Sequence, residues 1–118
     1  MAVENTLAPL LQEIKTHCEK HRRAFQDVKV LAVSKLQPVE KVQKLFEQGQ
    51  NLFAENYVQE ALAKQIELKD LKIEWHLIGH IQRKKINSIL GQFHLIHSID
   101  SLDLAQALAK KCDRGAPK

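Results

Sequence analysis

Cysteine is scarce in this chain: Cys18 and Cys112 stand far apart and belong to no recognisable motif. That excludes a disulfide scaffold, and the pair reads as reduced thiols of a cytoplasmic protein. Aromatic residues are few, with one Trp and one Tyr, and the basic residues are scattered beside acidic ones. The formal charge of +4 therefore reads as a solvated surface, and a nucleic-acid partner is not expected. No apolar run approaches the length of a membrane span. The opening Met-Ala-Val-Glu-Asn-Thr has no charged segment followed by an apolar one, so no signal peptide is visible. A glycine-rich phosphate loop, a nucleophile elbow and a zinc motif are all missing. What remains is an ordinary globular mixture, 44% hydrophobic and 27% charged over 118 residues, with enough apolar material for a core.

Periodicity divides the chain into one helix and then four strand–helix units. Leu7, Leu10, Leu11, Ile14 and Cys18 recur at helical spacing between about Thr6 and Arg23, with Pro9 tolerated near the first turn. Val28–Ser34 is a nearly continuous β-branched run, as in a strand buried on both faces. Pro38 opens a helix striped by Val39, Val42, Leu45 and Phe46, and Gly49 caps its end. Strands are expected at Asn51–Ala54, Ile73–Ile78 and Phe93–Ile99. Helices are expected at Tyr57–Lys69 (Val58, Ala61, Leu62 and Ile66 inward), at Gln82–Leu90, and after Ser101, whose hydroxyl can cap a helix carrying Leu102, Ala105 and Leu108.

Strand ends recurring roughly every twenty residues define a parallel α/β array. Four parallel strands leave two apolar edges open, a liability that an eight-stranded barrel removes by closing on itself. The reading is therefore α/β: residues 1–118 form a single domain, the first half of a TIM-type (β/α) barrel preceded by an N-terminal helix, with the C-terminal half absent. Left alone, such open edges are expected to drive self-association.

Working groups in such folds collect where strands end. Ser34 and Lys35 follow strand one, Glu55, Asn56 and Tyr57 strand two, His76, Gly79 and Gln82 strand three, and Ser98 and Asp100 strand four. Lys35 directly follows Leu31-Ala32-Val33, so low-dielectric surroundings would favour its free amine as a nucleophile toward an aldehyde. From position alone the plainer reading, a lysine that leaves the sheet and snorkels to solvent, is the stronger.

Four segments occurring in order change that balance: Leu31-Ala32-Val33-Ser34-Lys35, Glu55-Asn56-Tyr57-Val58-Gln59-Glu60, Glu74-Trp75-His76-Leu77-Ile78-Gly79-His80-Ile81-Gln82 and His97-Ser98-Ile99-Asp100. Together they closely resemble the pyridoxal-phosphate homeostasis proteins, the YggS-type family with an alanine-racemase-like barrel. The resemblance implies a protein that holds pyridoxal 5′-phosphate as a Schiff base on Lys35 and acts in vitamin B6 balance. Asn56, His76, Gly79 and Ser98 complete the implied cofactor-binding set, with Gly79 letting the backbone turn tightly. No catalytic residue is implied, because the family has no established turnover. Transient acceptor enzymes that receive the cofactor are the implied protein partners.

Three departures from the family pattern stand out. Ala54 replaces a frequent Gly, Arg83-Lys84-Lys85 replaces a pattern with Asn before its last Lys, and the family's phosphate-binding residues lie in a C-terminal half beyond Lys118. Weak binding by this chain alone is therefore expected. Two alternatives are a racemase-like enzyme, which needs a second acid or base, and a small nucleic-acid or protein interaction module built on the basic helix.

Other constellations carry less. His17 and His21 sit i, i+4 on one helix with no evident further ligand, so no metal is expected. His94 and His97, three apart on a strand, are expected to face opposite sides.

Overall fold

The structure, a computed structural model, describes residues 7–112. The C-terminal loop expected at Arg114–Lys118 lies outside that range. Five α-helices and four strands alternate within it, in the order α1 (Leu7–Lys20), β1 (Ala32–Val33), α2 (Val39–Glu47), β2 (Leu52–Glu55), α3 (Val58–Glu67), β3 (Glu74–Leu77), α4 (Ile86–Ile89), β4 (Leu95–Ile96) and α5 (Leu102–Cys112). The strands form one parallel sheet in the order β1-β2-β3-β4. Sequential parallel neighbours, each pair joined by a helical crossover, are the arrangement of the first half of a TIM-type barrel.

Side-chain alternation gives the sheet two unlike faces. Ala32, Phe53 and Trp75 lie in register across β1, β2 and β3, and the Phe53 and Trp75 rings are 5.9 Å apart. Together with Leu77 they meet Val42 of α2, Val58 and Ala61 of α3, Ile86 and Ile89 of α4, and Leu104 and Leu108 of α5. This helix-covered face is the core. The next register, Val33, Ala54, His76 and Leu95, belongs to the opposite face. There Val33 and Leu95 remain about half exposed, at 51% and 52%.

Several elements are shorter than periodicity suggests. Of Val28–Ser34, only Ala32–Val33 pairs as strand. Upstream, the Gln50 carboxamide donates to Val30 O (2.6 Å) and Leu52 O (2.8 Å), so a side chain takes the place of the ladder. Val33 also contradicts the expectation of burial on both faces. β4 shrinks from Phe93–Ile99 to Leu95–Ile96, because an outer strand has only one neighbour to pair with. The basic helix over Gln82–Leu90 is a 3₁₀ turn, Arg83–Lys85, followed by a single α turn. Three consecutive cations at a helix start oppose the helix dipole. Ile66 and Leu102, expected inward, are 72% and 73% exposed. In α5 the buried positions are Leu104 and Leu108 instead. No helix among the described residues is long and apolar enough to cross a membrane.

Candidate functional site at the strand C-terminal ends

The ladder continues just past the strand ends. Ser34 N–H donates to Ala54 O, Ile78 N–H to Glu55 O and His97 N–H to Leu77 O, at 2.9–3.0 Å. Lys35 is thus the first residue beyond the paired part of β1. It lies in a turn, and its side chain is exposed. The low-dielectric setting expected for this amine is not found, since Lys35 is an exposed turn residue.

Asn56 follows β2 and is half-buried, and its Oδ1 is a buried acceptor without a partner. Gly79 follows β3 and runs against it: a Cβ on Gly79 would lie 1.9 Å from Asn56 O. The tight turn expected of Gly79 is not its reason, since positive φ among the described glycines occurs at Gly49 and Gly91. Clearance from the Asn56 backbone is. Ser98, after β4, donates its hydroxyl to Gly79 O. Asn56, Gly79 and Ser98 are therefore three consecutive loops bound into one rim. Asn56 and Gly79 also share a cavity of about 350 Å³ with His80, Gln82 and Lys85. Lys35 stands outside that cavity's wall.

His76 lies in β3, in register with Ala54 and Leu95. Its Nε2 is 2.9 Å from Glu74 Oε2, and its Nδ1 is 2.9 Å from His97 Nε2. The two contacts fit a tautomer in which His76 Nε2–H donates to Glu74 and His76 Nδ1 accepts from His97 Nε2–H. The hydrogen bond from His76 holds the Glu74 carboxyl below its ordinary range, against a smaller opposing effect of desolvation. His94 Nε2 approaches the same Glu74 at 3.7 Å. His94 and His97 thus both reach the Glu74–His76 pair, contrary to the expectation of opposite faces. His94 precedes the two-residue β4, so strand alternation does not govern it. Among the described residues no group of three or more His, Cys, Asp or Glu is placed to hold a metal.

Two residues grouped with the rim on sequence grounds are elsewhere. Ser34 and Glu55 are buried between the sheet and α3, where the Ser34 hydroxyl donates to Glu55 Oε2. Their partner is Lys64 of α3, a 5% exposed lysine that sequence reading passed over. Its Nζ lies 2.9 Å from Glu55 Oε2 and 3.0 Å from Glu60 Oε2. The signal was present as Glu60–Lys64, an i, i+4 pair on one helix, but that spacing usually marks a solvated surface.

A half-barrel of parallel strands with a lysine after β1 and polar loops gathered at one rim defines the class. The family model for the alanine racemase N-terminal domain matches residues 10–118, and the chain belongs to that family. It is similar to the pyridoxal phosphate homeostasis protein of Pseudomonas aeruginosa, with 38% identity over 98% of this chain and 50% of the relative. The protein of the same description from Aquifex aeolicus is 38% identical over 89% of this chain and 46% of its own length. Among solved structures, PipY of Synechococcus elongatus with PLP bound superposes with a TM-score of 0.73 at 36% identity, covering 86% of this chain and 48% of PipY. The crystal structure described as an unknown protein from Bifidobacterium adolescentis gives a TM-score of 0.83 at 25% identity, over 96% of this chain and 51% of that one. The chain spans about half the length of the curated relatives it matches.

Proposed function

We propose that this chain binds pyridoxal 5′-phosphate through Lys35 and serves cofactor homeostasis, handing the cofactor to acceptor enzymes in the cytoplasm. The observation that carries the reading is the exposed Lys35 amine, free of the sheet ladder at the end of β1. The residues present fit the cofactor: a primary amine suits its aldehyde, and the unpartnered Asn56 Oδ1 suits a hydrogen-bond donor on a polar aromatic ring. The bound cofactor supplies an electrophilic aldehyde carbon, to which Lys35 Nζ bonds as a Schiff base with loss of one water. Asn56 orients the ring, Gly79 keeps the Asn56 loop in place by leaving room for its carbonyl, and Ser98 holds the Gly79 loop. His76, already satisfied by Glu74 and His97, supports the wall beneath the rim. Binding rather than turnover is the activity proposed.

Kinship supports this reading, because PipY carries PLP and the curated relatives share the homeostasis description. Charge-assisted contacts to a phosphate are among the stronger hydrogen bonds, and the described loops offer only Lys85 and His80 beside the Asn56 cavity. Affinity of this chain alone is accordingly expected to be low. Titration with pyridoxal 5′-phosphate, followed by absorbance and then by borohydride reduction and peptide mapping, tests the proposal. Label on Lys35, and loss of the absorbance band in Lys35→Ala, are expected. Label spread evenly over surface lysines would overturn the assignment.

A further inference from the structure

The turn that presents Lys35 is tied on both sides. Before it, Ser34 O accepts from Lys64 Nζ at 2.5 Å, and the Ser34 hydroxyl donates to Glu55. After it, Leu36 N–H donates to Glu60 Oε2 at 2.7 Å. Lys64 Nζ bridges Glu55 and Glu60, so both flanks of Lys35 end on one ion-paired cluster.

Leu36 has a φ of +61°, a left-handed conformation that disfavours a side chain with a Cβ. Its side chain is 74% exposed, so packing does not hold the conformation. The turn is closed by Gln37 N–H donating to Ser34 O at 3.1 Å, and the Leu36 amide inside it is anchored by its hydrogen bond to Glu60. Stability alone is a poor account of the cluster. Buried ion pairs recover little more than their desolvation cost, and the Oε1 atoms of Glu55 and Glu60 are buried without partners. Such poorly compensated polarity is expected where geometry at a working site matters more than stability.

We infer that Glu60, with Lys64 and Glu55 behind it, positions Lys35 by fixing the Ser34–Leu36 turn through the Leu36 amide and the Ser34 carbonyl. Glu60 acts through the backbone and is a positioning residue. The inference rests on Lys35 being the amine that takes the cofactor.

The test uses the 118-residue chain as wild type, Glu60→Ala, Glu60→Gln and Lys35→Ala, with melting curves as the control for folding. Glu60 is suited to it because its side chain is partly exposed, at 24%, and its removal leaves the Lys64–Glu55 pair intact. Without cofactor, the Leu36 amide is expected to exchange about tenfold faster in Glu60→Ala, the loss of one charge-assisted hydrogen bond. With pyridoxal 5′-phosphate, the concentration for half-maximal absorbance is expected to rise by a similar factor. Glu60→Gln keeps an acceptor oxygen and is expected to restore both readouts to within about threefold. A band lost in Lys35→Ala but indifferent to Glu60→Ala overturns the positioning role alone. So does an unchanged Leu36 exchange rate, or a Gln variant as impaired as the Ala variant. A band that survives Lys35→Ala overturns the Lys35 reading and with it any role for Glu60 in binding, whatever the exchange rates.

Discussion

A methyl group on Gly79 would meet the Asn56 carbonyl oxygen at 1.9 Å and two further Asn56 backbone atoms at 2.7 and 2.8 Å. Backbone cannot swing aside as a flexible side chain can. Gly79→Ala is therefore expected to cost about 1–3 kcal/mol, the range for overpacking, and to disturb the loop carrying Asn56. Urea unfolding measures the first effect and cofactor titration the second. Lys64 presents the opposite case, a residue whose removal leaves something uncompensated. Lys64→Met strands the fully buried Glu55 carboxylate, and a loss of about 3–5 kcal/mol is expected. Adding Glu55→Gln should return much of it, because the charge and its desolvation cost go together. A double mutant no more stable than Lys64→Met would show that the two groups are not coupled. Among residues, the meeting of Asn56 and Gly79 was legible because strand-end positions in a parallel fold share one rim, whereas Lys35 stands outside their cavity. Lys64 was not legible, since nothing in an i, i+4 pair says which way the helix turns its charged stripe.

Elements were legible by type more readily than by extent. Every helix and strand inferred from periodicity exists, yet β1 and β4 pair over only two residues each. Their sequences are as apolar as β2 and β3. Only the number of neighbours distinguishes them, and neighbours are a property of the sheet. Caps were easier, because they depend on adjacent residues. Gly49 closes α2 at a φ of +107°, and Ser101 Oγ accepts from Leu104 N–H at 3.1 Å to start α5. Ser101→Ala should destabilise the fold by about 1 kcal/mol, with Ser101→Asn close to wild type, as denaturation midpoints would show. Gln82–Leu90, expected as one helix, is a 3₁₀ turn followed by one α turn, because the adjacent cations Arg83–Lys85 oppose the dipole of a helix N-terminus.

On the scale of the whole molecule, one sheet face is packed by helices, and the other carries the half-exposed Val33 and Leu95 and the buried His76, which contacts both Glu74 and His97. On that second face Glu74 contributes to the acid sensitivity of the fold. The Glu74 carboxyl is held below its ordinary value of 4.5 by the His76 hydrogen bond. A carboxyl depressed in the folded state contributes stability that is present above its unfolded pKa and lost as pH falls through the folded one. Melting temperature should hold at neutral pH and decline once pH drops below about 4.5. Glu74→Gln should make that decline shallower, and an unchanged acid limb in a pH series of melts would count against the His76 contact.

What the sequence determined by itself was the alternation of strands and helices, their parallel order and the rim where polar residues gather, because each follows from local periodicity and the geometry of crossovers. The tertiary structure decided which groups meet: Lys64 beneath the Lys35 turn, Asn56 against Gly79, His97 on His76. Those contacts join residues about twenty to thirty apart in the chain. Their distances depend on sheet register and helix rotation, which no local pattern encodes.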